Sequence, residues 1–299
     1  MTMTAAHPPE TVVTVRLPTT SPFDGTGLMR FFADHGVPGL ESGDEHSFSR
    51  AVRLPHGVAT VEITLDSPGD SDAGLNCTGR LDDASDLDTL VARLRSLFDL
   101  DADSHEIDAA LGSDPDLASA VAARPGVRMP GSLDLQESLF RTLIGQQISV
   151  KAARTVLGRI VAELGEGDAA AGTRLFPSAA TLAEHGREVL RGPATRIATV
   201  VGVAEALASG ALELHDGMPV DEFTTRLVAL PGIGPWTAGY LAMRALKNPD
   251  VLLTTDLVML QSAARLGLPA TARGLAEHGT RWAPWRSYAG MHLWRAARA

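Results

Sequence analysis

Two features of this chain have residue types and spacing that could do chemistry: the segment LPGIGPWTAGY (230–240), and Asp256 within VLLTTDLVMLQSAARLGL (251–268). Pro231 ends a helical stretch over roughly Val220–Leu230, since it lacks an N–H and its ring clashes with the preceding turn. Gly232 and Gly234 reach positive φ at little cost. Pro235, Trp236 and Thr237 then open a new helix, whose first turn suits proline. The product is a tight helix–hairpin–helix. Its backbone N–H groups and helix N-terminus face one way and form an anion site, suited to a nucleic-acid phosphate and blind to base sequence. An ordinary αα-hairpin with a glycine cap is the plain alternative. Asp256 follows an apolar run and opens a helix with apolar positions Leu257, Val258, Leu260, Ala263 and Leu266; its plain role is an N-cap.

The elements that must position these residues change character along the chain. Residues 1–10 read as a disordered start. Strand signals dominate from Thr11 to about Leu81, with TVVTVRL (11–17), SFSRAVRL (47–54) and GVATVEITL (57–65) rich in β-branched residues. One helical stretch interrupts them around Gly27–Gly36. An amphipathic helix follows at 86–100, with Leu87, Leu90, Val91, Leu94, Leu97 and Phe98 at helical spacing. After Asp101 the strands vanish. Residues 134–164 are helical with a break at IGQQIS, and further helices fall near 178–190, 193–209, 220–230, 237–247, 256–266, 271–279 and 285–297. The fold class is therefore α+β: an N-terminal antiparallel-sheet domain (11–100) with helices on one face, then an all-α core (101–299).

Composition narrows the class. The chain has 299 residues, a net charge of −10 and one cysteine, Cys77. One cysteine excludes an internal disulfide, an iron–sulfur cluster or a zinc site built on several cysteines, and makes a reducing, cytoplasmic setting the expectation. There is no signal-peptide pattern, and no apolar run approaches the ~20 residues of a membrane helix. No histidine pair has a convincing metal spacing. An acidic protein argues against nucleic acid, but the charge is uneven: net −12 over residues 1–110, −4 over 111–225 and +6 over 226–299. The basic balance lies with the hairpin, so a phosphate-facing surface there is compatible with an acidic whole.

LPGIGPWTAGYLAMRA followed by LLTTDLVM resembles the helix–hairpin–helix DNA glycosylase superfamily. WAPWRSYAGMHLW (282–294) and LFRTLIGQQISVKAA (139–153) narrow the likeness to the bacterial alkylated-base glycosylases of the 3-methyladenine DNA glycosylase II type. The strand-rich unit ending in LRSLFDLDAD is similar to that group's N-terminal domain. The likeness thus spans nearly the whole chain from about residue 11. It implies a two-lobed helix–hairpin–helix glycosylase core, with lobes at about 131–245 and at 101–130 plus 246–299.

The resemblance also implies roles. Asp256 matches the catalytic aspartate, which stabilises the oxocarbenium-like sugar and orients or deprotonates water. Trp236, Tyr240 and Trp294 match aromatic positions of the base pocket, where electron-rich faces favour a cationic alkylated purine by about 0.5–2 kcal/mol. Gln147 of GQQIS (145–149) matches the wedge that fills the hole left by an extruded base; the best-studied type has leucine there. Gly232, Ile233, Gly234 and Thr237 match the phosphate-binding hairpin. The backbone carbonyls of Val228, Leu230 and Ile233 match positions that can hold a monovalent cation. Arg281, Arg286 and Arg295 could contact phosphates. Bifunctional relatives carry a Schiff-base lysine where this chain has Trp236, so the implied enzyme is monofunctional, hydrolytic and without lyase activity. The expected partner is double-stranded DNA containing damaged bases. A monomer associated with the nucleoid, standing alone rather than beside an alkyltransferase domain, is expected, with no required cofactor. A glycosylase for deaminated or oxidised bases, or a non-catalytic DNA-binding protein, are the alternatives.

Overall fold

Strands β1 (Thr11–Pro18), β2 (Glu41–Gly43), β3 (Ser47–Leu54), β4 (Gly57–Leu65) and β5 (Gly74–Leu81) form one antiparallel sheet in the order β1-β5-β4-β3-β2. The computed structural model describes residues 11–66 and 73–296; the first ten residues, read above as a disordered start, lie outside the described residues. Helices α1 (Gly25–His35) and α2 (Leu87–Phe98) supply the apolar cover of the sheet. Leu28, Met29 and Phe32 of α1 and Leu90, Leu94 and Phe98 of α2 share one buried cluster with Phe48, Val61, Ile63 and Leu75. The pattern GLNCTGRL of β5 carries small residues, Cys77 and Gly79, at inward positions between exposed Asn76, Thr78 and Arg80. A strand with so few β-branched residues gives a weak propensity signal, as does the three-residue β2.

The rest is helical: α3 (Ser104–Gly112), α4 (Pro115–Ala123), α5 (Leu135–Gly145), α6 (Val150–Leu164), α7 (Ala179–Val189), α8 (Ala194–Ala208), α9 (Val220–Val228), α10 (Pro235–Arg244), α11 (Leu257–Arg265), α12 (Ala272–His278) and α13 (Arg286–Ala296). Asp103, Asp114, Asp134, Ser149, Ser178, Asp256 and Thr271 each cap a helix by accepting a backbone N–H, which satisfies donors that the first turn leaves orphaned. Helices α3 and α4 have short apolar stripes of two residues each, Ile107 and Leu111 or Leu117 and Val121, too few to stand out by periodicity.

Two further apolar cores sit under these helices. Leu139, Phe140 and Leu143 of α5, Ile160 and Val161 of α6, Val200 and Val201 of α8, and Phe223, Leu227, Ile233, Leu241 and Ala242 around the hairpin form one, joined by Val37 and Leu40 of the N-terminal unit. Ile107, Leu117 and Val121 form the other with Met243, Met259, Trp282, Tyr288 and Leu293.

Charged groups lock the sheet to the helices. Arg50 of β3 donates to both oxygens of Glu137 on α5 at 3.0 and 2.8 Å, and Arg141 of α5 donates to both oxygens of Glu41 on β2 at 3.0 and 3.1 Å. Burial alone would raise the Glu137 carboxyl, but the Arg50 and Arg141 guanidiniums hold it down to about 2. A second knot centres on buried Asp99, which accepts from the Met129 amide at 2.8 Å and the Tyr288 hydroxyl at 3.0 Å and pairs with Lys247 at 2.8 Å.

Candidate active site

The hairpin joins α9 to α10. Gly232 has φ +83°, and a Cβ there would lie 2.2 Å from Thr199 Oγ1 of α8. Both facts require glycine. Gly234 has φ −98° and nothing within 4 Å of where its Cβ would be. It leaves the start of α10 open to an approaching backbone, and no side chain caps that first turn. Ile233 sends its side chain into the core. Thr237 is likewise buried; its hydroxyl accepts from Gln146 Nε2 at 3.0 Å, so only the Thr237 backbone remains to meet a phosphate. Val228 ends α9 with an exposed side chain, and the Leu230 carbonyl accepts the Ile233 amide at 3.2 Å.

Asp256 caps α11: Oδ1 accepts the Met259 amide at 2.9 Å. The same oxygen accepts the Trp294 indole N–H at 3.0 Å, while Oδ2 accepts that of Trp236 at 3.1 Å. The cap role and the candidate catalytic role thus coincide in one side chain. A carboxylate has about four acceptor positions; the second position on Oδ2 stays available. Trp236 and Tyr240 are stacked, with centroids 5.2 Å apart and planes 10° apart, and Tyr240 meets Trp294 edge-on at 6.3 Å. The three expected pocket aromatics and Asp256 therefore form one group.

Arg244, which sequence reasoning missed, continues the stack. It lies one helical step beyond Tyr240, the i,i+4 relationship that could have flagged it. Its guanidinium sits 5.4 Å from the Tyr240 centroid and donates to the Tyr240 hydroxyl at 2.5 Å. It also lies 4.8 Å from the ring of Phe31 on α1 and donates to the carbonyls of Pro130 and Gly131. Burial makes Arg244 less basic than a free guanidinium. Arg295, next to Trp294, pairs with Asp24, the N-cap of α1. Helix α1 thus braces both walls of the aromatic group. Arg286 pairs with Asp250 at 2.6 and 2.8 Å, and Arg281 lies 3.7 and 3.8 Å from Asp114 and Asp116.

Of the apolar positions read on α11, Ala263 is buried and Leu260 packs against the same core, but Leu257 is 72% and Val258 46% exposed and Leu266 is exposed as well; Met259 and Ser262 are buried instead. Asp256 as cap sets the helix phase, and that phase turns its two apolar neighbours outward beside the carboxylate. Gln147 is exposed, with φ +59°, between α5 and α6. The chain has two lysines. The one nearer Asp256 in sequence, Lys247, is bonded to Asp99 and donates to the Met129 carbonyl at 2.7 Å. The fold also brings Asp114, Asp116 and His278 within 4.8 Å of one another, a grouping their sequence separation hid. Arg281 beside them already supplies the balancing cation. No described helix is long and apolar enough to cross a membrane.

Residues 14–134 match the AlkA N-terminal domain family. Over 277 residues the chain is 30% identical to DNA-3-methyladenine glycosylase 2 of Escherichia coli (strain K12), covering 91% of this chain and 94% of that protein. The chain belongs to the DNA-3-methyladenine glycosylase 2 family. It is also 41% identical over 285 residues to the probable bifunctional transcriptional activator/DNA repair enzyme AlkA of Mycobacterium tuberculosis (strain H37Rv), covering 94% of this chain but 56% of that protein. The chain thus spans little more than half the length of that relative. Among solved structures, the 3-methyladenine DNA-glycosylase from Archaeoglobus fulgidus superposes with a TM-score of 0.80 at 20% identity, over 95% of this chain and 98% of that one. That likeness shows the glycosylase fold, an antiparallel sheet followed by a helical core as the resemblance implied; the sheet has five strands.

Proposed function

We propose that this protein is a monofunctional DNA glycosylase that hydrolyses the N-glycosidic bond of alkylated purines of the 3-methyladenine type in duplex DNA, the opening step of base excision repair. The observation that carries the reading is Asp256, held by indole N–H groups from two helices with an acceptor position left on Oδ2. A fixed carboxylate beside aromatic faces favours positive charge, which develops on the sugar as the base departs. Asp256 stabilises that charge and orients the attacking water. Trp236 has no amine for a Schiff base, and the Lys247 ammonium is committed to Asp99 and Met129; both support hydrolysis without strand cleavage.

In this reading the damaged base leaves the stack and enters between Trp236 and Trp294, with Tyr240 and Arg244 as backing. The open first turn of α10 takes a phosphate through the backbone at Gly232–Gly234 and Thr237. Gln147 enters the duplex from the α5–α6 loop. A monovalent cation on the carbonyls of Val228, Leu230 and Ile233 belongs to the same proposal. Neutral oxygens suit a hard cation, and the Leu230 oxygen keeps one lone pair. The protein acts as a monomer on nucleoid DNA in the cytoplasm and needs no iron–sulfur cluster.

The test is release of free base from duplexes carrying methylated, deaminated or oxidised bases, with nicking assayed before and after alkali. Release of 3-methyladenine by the wild type, with nicks only after alkali, supports the proposal. Release of deaminated or oxidised bases instead would reassign the lesion class. Binding with no release from any of these duplexes would overturn the catalytic reading.

A further inference from the structure

Gln147 is exposed in left-handed backbone, a conformation that costs a residue with a Cβ. The supports within its own loop are thin: the Ile148 amide reaches the Gly145 carbonyl at 3.4 Å, and Ser149 caps α6. The firmer holds come from two other helices and fall on the preceding residue. Arg196 of α8 donates to the Gln146 carbonyl at 2.7 Å, and that carbonyl belongs to the peptide leading into Gln147. The Gln146 side chain donates Nε2 to Thr237 Oγ1 on α10 at 3.0 Å. Thr237 is buried and follows Trp236, whose indole holds Asp256. A continuous series of contacts therefore runs from Arg196 through Gln146 and the first turn of α10 to the carboxylate.

We propose that Gln146 is a positioning residue for base extrusion. By tying the loop to the first turn of α10, it fixes the point at which Gln147 enters the duplex relative to the pocket that receives the base. The proposal rests on reading Gln147 as the inserting residue. Gln146 itself touches no reacting atom, so its effect belongs to flipping rather than to bond cleavage.

The experiment uses the full chain as wild type, Gln146→Ala, Thr237→Val and the double variant. Two duplexes carry one methylated purine each, one with the lesion paired and one with it in a single-nucleotide bulge, where unstacking is cheap. Single-turnover base release is measured on both. Fluorescence of 2-aminopurine beside an abasic-site analogue reports distortion of the duplex without any excision. The expected result is a loss of about tenfold on the paired lesion for each single variant, the scale of one hydrogen bond. The double variant is no worse than either single, because both remove the same link. The bulged lesion changes by less than about twofold, and the fluorescence rise weakens in parallel with the paired-lesion loss. Equal losses on both duplexes, additive losses in the double variant, or an unchanged fluorescence rise would each overturn the proposal. If the wild type released no base, the glycosylase reading would fail while the fluorescence arm still decided the role of Gln146.

Discussion

Trp236 and Trp294 donate their indole N–H groups to different oxygens of Asp256, one from α10 and one from α13. With the Met259 amide on Oδ1, three donors from three helices hold one carboxylate. The carboxylate cannot rotate without breaking at least one of these bonds, so its charge is aimed before substrate arrives, the condition for electrostatic preorganisation.

Asp256→Asn separates the two roles of this side chain. Asparagine caps a helix about as well as aspartate, but its Nδ2 faces the Trp236 indole N–H, donor against donor, so stability should fall by about 1 kcal/mol while base release falls by at least about a hundredfold. Asp256→Ala should lose activity and, with the cap, about a further 1 kcal/mol of stability. Single-turnover kinetics and calorimetry on both variants check this.

Trp294→Phe keeps an aromatic ring and removes one hydrogen bond to a charged acceptor. Such bonds contribute about 1.5–3 kcal/mol, so the single-turnover rate should fall roughly ten- to a hundredfold. Binding to an abasic-site duplex should change far less than the rate.

The hairpin glycines should behave differently under the same substitution. Gly232→Ala meets positive φ and the Thr199 side chain, and should lower the unfolding temperature. Gly234→Ala enters open space at an extended backbone that alanine adopts readily; the stiffer unfolded chain offsets the poorer N-cap, and stability should stay within about 0.5 kcal/mol. It should weaken duplex binding, because the methyl stands where the phosphate approaches. Binding titrations at two salt concentrations separate these outcomes.

Leu257→Ser removes an exposed apolar group beside Asp256. Stability should stay within about 0.5 kcal/mol, while base release from duplex DNA should slow, as an exposed apolar side chain next to Asp256 is placed to meet DNA. Urea unfolding and single-turnover excision are the paired measurements. Unchanged excision would make Leu257 a bystander.

Acid should destabilise the fold through His292. Burial pushes its imidazole down to about 4, so it is neutral in the folded chain. In the unfolded chain it titrates near its ordinary value of about 6.5. The unfolded state then binds the extra proton, and stability is lost as pH falls from about 6.5 to 4, by up to about 3 kcal/mol in total. His292→Gln should flatten that part of a stability–pH curve.

Much of this was legible in residue order. PGIGP dictated the hairpin because proline and glycine act locally, α2 followed from its apolar periodicity, and α6 and α8 showed as long helical stretches. What stayed hidden depends on tertiary partners. β5 hides because small residues at its inward positions carry little propensity. The outward turn of Leu257 and Val258 depends on a helix phase set by the Asp256 cap. Arg244 and Gln146 are unremarkable by type, and Arg295 stood out only as a candidate phosphate contact; they matter through Phe31, Thr237 and Asp24, which only the folded chain brings near. The grouping of Asp256 with Trp236 and Trp294 came from resemblance, since neither spacing alone points to a shared carboxylate.

Trp294 and Arg295 lie on α13, the final helix described, and this has a consequence during synthesis. Domains fold in order as the chain leaves the ribosome. The sheet with its covering helices, and then the hairpin, can form while α13 is still in the tunnel. On the function proposed above, such a nascent chain would hold a phosphate at the hairpin while its Asp256 still lacks the second indole and its aromatic group lacks one ring. In that reading grip precedes excision, and a half-made molecule would have no means of creating abasic sites.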